Sequence, residues 1–160
     1  MSYAYDTIAD IIRLGEENNI SFGDVVLRYE LENYDRSEDA VVHEIENRLD
    51  IFESSIQDGI AYAEKTASGM SGGQAAQLNG QTPRFMSDIA YKAMTYAIAV
   101  NEANAKMFRI VACPTAGSCG VMPGAVKAVA DHYQLERATV VKRFLAASGI
   151  GNVVANRACV

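Results

Sequence analysis

No uninterrupted apolar run in this sequence approaches the ~20 residues that a membrane-spanning helix needs, which argues against a membrane partner. A basic stripe is also missing. Lys and Arg number 14 against 20 Asp and Glu, a formal net charge of −6, so a nucleic-acid partner is not expected either. The first residues, Met1-Ser-Tyr-Ala-Tyr-Asp6, lack the basic start and apolar stretch of a signal peptide. Together these absences lead to the expectation of a cytosolic protein. Cysteines number only three. An odd count in a reducing compartment reads as free thiols or metal ligands rather than a disulfide framework. There is no repeat, no low-complexity tract and no convincing period-two alternation that would mark a strand.

What the sequence does contain is helical periodicity. Hydrophobic residues make up 49% and charged residues 21%, a globular composition, and 160 residues fit one domain of ordinary size. The fold class expected is all-α: a single helical domain over residues 1–160 with two glycine-rich loops and little or no strand. Thr7 with Asp10 and Ser21 with Asp24 have the spacing of capping boxes, each leading into a short apolar-periodic segment. Asp35 or Ser37 starts the strongest periodic signal: Val41, Val42, Ile45, Leu49, Phe52, Ile56 and Ile60 recur at steps of three or four. Continued to Thr66, this helix would hold about 30 residues and reach ~45 Å. The acidic surplus, concentrated in residues 30–64, reads as its solvated face. Ser87 caps a helix predicted over residues 88–106, rich in alanine, which favours helix and permits close packing. Residues 109–112 read as extended coil. Val121 or Pro123 opens a further helix to about His132. A last helix is predicted over residues 137–148, with Gly149-Ile-Gly151 as a break before a short second piece.

Two glycine-rich segments interrupt the helices. Cys113-Pro-Thr-Ala-Gly-Ser-Cys119-Gly-Val-Met-Pro-Gly124 gathers two thiols, two hydroxyls and small residues before a helix N-terminus. Backbone N–H groups in such a loop suit a carboxylate or phosphate, and a cysteine there is expected to have a lowered pKa. A buried turn with two inert thiols fits the same residues. Ser71-Gly72-Gly73 lets the backbone approach a ligand closely and offers a hydroxyl, although a plain loop would look alike. A phosphate-binding P-loop is excluded because no Gly-Lys pair occurs. A zinc site is disfavoured because Cys113 and Cys119 stand wider apart than the usual ligand pair. His43 and His132 fall in predicted helices far from that pair, and either could serve as a base by its ordinary pKa without anything singling it out.

The Gly-Met-Ser-Gly-Gly loop at 69–73 and the segment 111–125 together resemble the catalytic α chain of bacterial iron–sulfur L-serine dehydratase, and the resemblance extends over most of the chain. Related forms carry Pro-Thr-Asn-Gly with a cysteine two residues on; here Pro114-Thr115-Ala116-Gly117 precedes Ser118 and Cys119. The resemblance implies a lyase that converts L-serine to pyruvate and ammonia. Its cofactor would be a [4Fe–4S] cluster held by three cysteines, with the open iron acting as Lewis acid. It implies a serine dehydratase β chain as partner and allows a homodimer. Ser71, Gly72, Gly73, Thr115, Ala116, Gly117 and Ser118 would receive the substrate carboxylate, and Cys119 falls on the first ligand position.

The departures carry information too. Cys113 stands where related sequences often have alanine, and Cys159 where they often have serine, so neither matches a ligand position. The other two ligands belong to a later segment of the type Gly-Gly-Cys-Gln, followed some residues on by another cysteine, which does not occur before Val160. The resemblance therefore implies a truncated form that lacks the cluster and is inactive alone. Two alternatives stay open: a non-catalytic helical module whose long helix pairs with a partner, and a related lyase acting on threonine or cysteine, since one methyl group is worth only ~1–3 kcal/mol of discrimination.

Overall fold

The computed structural model describes residues 2–113 and 115–157. Seven α-helices account for most of them: α1 (Ile8–Asn18), α2 (Phe22–Tyr34), α3 (Glu38–Ala61), α4 (Gln74–Leu78), α5 (Asp88–Ala105), α6 (Val121–Tyr133) and α7 (Arg137–Arg157). A single 3₁₀ turn spans Ala116–Ser118. No strand occurs among the described residues, so the fold is all-α. No described helix is long and apolar enough to cross a membrane. The backbone divides into two compact units, Met1–Glu46 with Glu136–Val160, and Asn47–Leu135.

In the first unit both capping boxes form. Thr7 Oγ1 accepts from the Asp10 N–H at 3.0 Å, and the Asp10 carboxylate returns a bond to the Thr7 N–H at 3.0 Å. Ser21 and Asp24 repeat the arrangement. Each box satisfies donors that the first turn of a helix leaves without partners. Ile11, Leu14, Val25 and Val26 then bury against Tyr3 and Tyr5. α7 corrects the expected break at Gly149: it runs unbroken for 21 residues. Helix propensity alone disfavours two glycines there. Packing overrides it, because a Cβ on Gly149 would stand 2.3 Å from Val26 Cγ2. The missing side chain lets α7 lie against α2 and carries Val153 into the same core.

The second unit is built around α5. Its alanines allow neighbours very close: a Cβ on Gly59 of α3 would fall 1.9 Å from the Ala99 carbonyl oxygen, and one on Gly124 of α6 would fall 2.6 Å from that of Ala93. Phe52 and Ile56 of α3 and Val100 of α5 are buried in this unit. α3 stops at Ala61, after 24 residues, rather than near Thr66. Beyond it the chain doubles back. The Lys106 ammonium donates to the Tyr62 carbonyl, and the Thr66 N–H donates to the Ser71 carbonyl at 2.9 Å. Backbone groups that would have continued the helix are spent on folding the loop. α4 was not expected from the sequence, being only five residues long.

Candidate functional site

Both glycine-rich segments lie in the second unit, and both are fastened to one turn of α5, residues 101–104. In the first loop Gly72 and Gly73 adopt φ of +118° and +86°, the left-handed region that glycine alone enters freely. Space demands glycine as well, since a Cβ at either would lie within 2.6 Å of the Glu64 or Ala63 carbonyl oxygen. The two N–H groups that follow point the same way and form a concave donor pair. A side chain of the protein already occupies it. Glu102, only 3% exposed, accepts from the Gly73 N–H at 2.9 Å through Oε2 and from the Gln74 N–H at 2.8 Å through Oε1. Gly73 is the N-cap of α4 and has no side chain to cap it, so Glu102 supplies the cap from a distant element. Ser71 is held from the other side by Thr66, whose hydroxyl also reaches the Ser71 carbonyl at 3.2 Å.

The second loop is a self-capped turn. Thr115 Oγ1 accepts from the Ser118 N–H at 3.3 Å, and Ser118 Oγ accepts from the Thr115 N–H at 3.3 Å. The Ser118 hydroxyl donates to the Cys113 carbonyl at 2.9 Å. Thr115, Ala116 and Gly117 remain exposed. α5 reaches this turn with two amides: Asn104 Nδ2 donates to the Ala116 carbonyl at 3.3 Å, and the Cys119 thiol donates to Asn101 Oδ1 at 3.7 Å. Residues three apart share a helix face, which explains why Asn101 and Asn104 serve the same loop. Glu102, turned ~100° from Asn101, serves the other.

Cys119 is fully buried, among Ile56, Ala75, Ala99 and Val100. Burial pushes its thiol up from the usual range, opposite to the lowering expected from a helix N-terminus. The helix dipole acts over the first turn of α6, but the thiol has lost its water, and desolvation penalises thiolate more. Burial pushes Cys113 up as well, against the pull of the Arg48 guanidinium. His43 and His132 are exposed on α3 and α6; His132 packs edge-on to Tyr133. Cys159 and Pro114 lie outside the described residues.

Sequence reasoning passed over Asn101, Glu102 and Asn104. The signal was available: three polar residues within four positions follow directly on the apolar run Ala97-Ile-Ala-Val100 of α5, and a charged side chain next to such a run calls for a specific partner where it is buried.

A family model described as the serine dehydratase alpha chain matches residues 17–160. The chain belongs to that family. It is 31% identical over 152 residues to an L-serine dehydratase alpha chain of Peptoniphilus asaccharolyticus, covering 93% of this chain and 52% of that protein. It is 29% identical over 159 residues to a probable L-serine dehydratase alpha chain of Bacillus subtilis (strain 168), covering 98% and 53%. An L-serine dehydratase 2 of Escherichia coli (strain K12) is 26% identical over 164 residues, covering 94% and 34%. The chain thus spans about half the length of the first two curated relatives it matches.

Proposed function

We propose that this chain supplies the substrate-carboxylate loops and one cluster ligand of an L-serine dehydratase, a lyase that turns L-serine into pyruvate and ammonia. The observation that carries the reading is the fastening of both loops to residues 101–104 of α5. Two donor-rich segments 40 positions apart in sequence are thereby held on one rigid element, which is how a small anionic substrate is gripped from two sides. With the Gly73 N–H committed to Glu102, the first loop is left with the Ser71 hydroxyl and the Gly72 N–H for a carboxylate. The exposed backbone of Ala116 and Gly117 offers the second set.

The Cys119 thiol is of the donor type that a [4Fe–4S] site takes. Thiolates are the ligands such clusters take, and Cys119 is the position we assign to this chain. Among the described residues no group of three or more His, Cys, Asp or Glu gathers, so the described residues alone do not complete the site. When bound, the cluster would supply a Lewis acid for the departing hydroxyl. This chain's own residues orient the amino acid by its carboxylate and keep it still while the α-proton and the hydroxyl are lost. The aminoacrylate released then hydrolyses to pyruvate and ammonia.

The test uses the full-length protein assembled with a serine dehydratase β chain under anaerobic conditions. Pyruvate should form from L-serine faster than oxo acid forms from L-threonine or L-cysteine. Cys119→Ala should lose iron and activity while its helical circular dichroism persists. Full iron content and activity in that variant, or no turnover by the parent, would overturn the reading.

A further inference from the structure

Glu102 is the one charged residue among the buried side chains described, and neither the binding of substrate carboxylate nor a cluster ligand accounts for it. Its two oxygens each take a backbone N–H, from consecutive residues of the Ser-Gly-Gly loop. A buried carboxylate is tolerated only when hydrogen bonds replace its water, and charge-assisted bonds of this kind are the strong ones. The loop on the other side of those bonds is intrinsically loose. Gly72 and Gly73 carry no Cβ to restrict them, and among the described residues Ser71 is held through Thr66. The Ser71-Gly72 apex is therefore pinned on one flank by Thr66 and on the other by Glu102. The neighbouring Asn101 and Asn104 hold the second loop from the same helical turn.

We propose that Glu102 is a positioning residue: its buried carboxylate clamps the Gly73-Gln74 backbone and so presents Ser71 and Gly72 to the substrate carboxylate in fixed register with the loop at 115–118. The inference rests on the functional reading above. Glu102 touches no substrate atom; it acts by pre-ordering groups that do, which lowers the cost of binding rather than the barrier to chemistry.

Glu102→Gln keeps one acceptor but sets an NH₂ group against a backbone N–H, leaving a buried donor facing a donor. In the full-length protein assembled with its β chain, this variant should exchange amide hydrogens in segment 66–78 at least ~10-fold faster, with segment 113–120 and iron content unchanged. KM for L-serine should rise ~10-fold while kcat stays within ~3-fold. Glu102→Asp, which keeps both acceptors on a shorter stem, should recover part of the KM. Faster exchange with unchanged KM would overturn the proposal, as would unchanged exchange. Failure of both variants to fold would assign Glu102 a purely structural role and overturn it too. If the wild-type complex makes no pyruvate, the functional reading fails and takes the substrate half of this proposal with it. The exchange measurement on Glu102→Gln still decides whether Glu102 holds the loop.

Discussion

Two glycines in α7, two residues apart, behave differently because one has a neighbour and the other has none. A Cβ on Gly149 would meet Val26 Cγ2 at 2.3 Å, whereas one on Gly151 meets nothing within 4 Å. In a helix, alanine is favoured over glycine by ~1 kcal/mol, but forcing a methyl into a packed contact costs ~1–3 kcal/mol. Gly149→Ala is therefore expected to lower stability despite the propensity gain, and Gly151→Ala to raise it by up to ~1 kcal/mol. Urea denaturation of the two variants checks the opposite signs. The same residue-level logic separates the glycines of the first loop, where positive φ and crowding at Gly72 and Gly73 leave no room for any other side chain.

Between elements, α5 and α6 are joined by a polar tie as well as by close packing. Tyr96 of α5 donates to Asp131 Oδ2 at 2.9 Å, and Lys127 pairs with Asp131 Oδ1 at 2.6 Å. Burial alone would raise the Asp131 carboxyl, but the bonds from Lys127 and Tyr96 outweigh it and hold the carboxyl below its ordinary 3.8. The Ser21 hydroxyl and Lys142 hold Asp24 below the same value, against a smaller contribution from burial. The folded state thus binds fewer protons than the unfolded chain as pH falls through 3.8, and acid favours unfolding. The stability difference between wild type and Asp131→Asn should be full above that value and shrink below it. Burial, reinforced by Asp131, pushes Tyr96 from 10.0 up to about 12. Its contribution is therefore present below pH 10.0 and lost as pH rises toward 12. Melting temperatures of wild type, Asp131→Asn and Tyr96→Phe from pH 2.5 to 11.5 test both limbs; a flat difference across the range would refute this account.

At the scale of the whole molecule, the 160 residues bring together the substrate loops of the proposed site but not a full set of cluster ligands among the described residues. Reconstituted anaerobically with iron and sulfide, the 160-residue chain is expected to hold well under ~4 irons and to form no pyruvate when mixed with a serine dehydratase β chain. Close to four irons per chain, or pyruvate formation, would sink that expectation. Cys119 is central to it, because its thiol stands in an apolar cluster with Ile56 and Val100, where an unligated thiolate would be costly.

Local chemistry was legible without coordinates. Thr7, Ser21 and Ser87 cap the helices that follow them, because a cap needs only residues within a turn of one another. The apolar steps of α3 and the absence of strand alternation were likewise enough for the all-α class. The paired glycines of the Ser71-Gly72-Gly73 loop also pointed to the positive φ that both adopt. What tertiary structure alone decided depends on residues far apart in the chain. α7 continues through Gly149 because Val26 waits beside it. α3 ends before Thr66 where the Lys106 ammonium takes the Tyr62 carbonyl and the Thr66 N–H turns to the Ser71 carbonyl. The Cys119 thiol is raised because four apolar side chains from other elements enclose it. The Gly73 N–H, in a loop that reads from sequence as open to a ligand, is taken together with that of Gln74 by Glu102, from 29 and 28 positions away. A loop's sequence states how many donors it can offer; only the packed chain determines which of them are already taken.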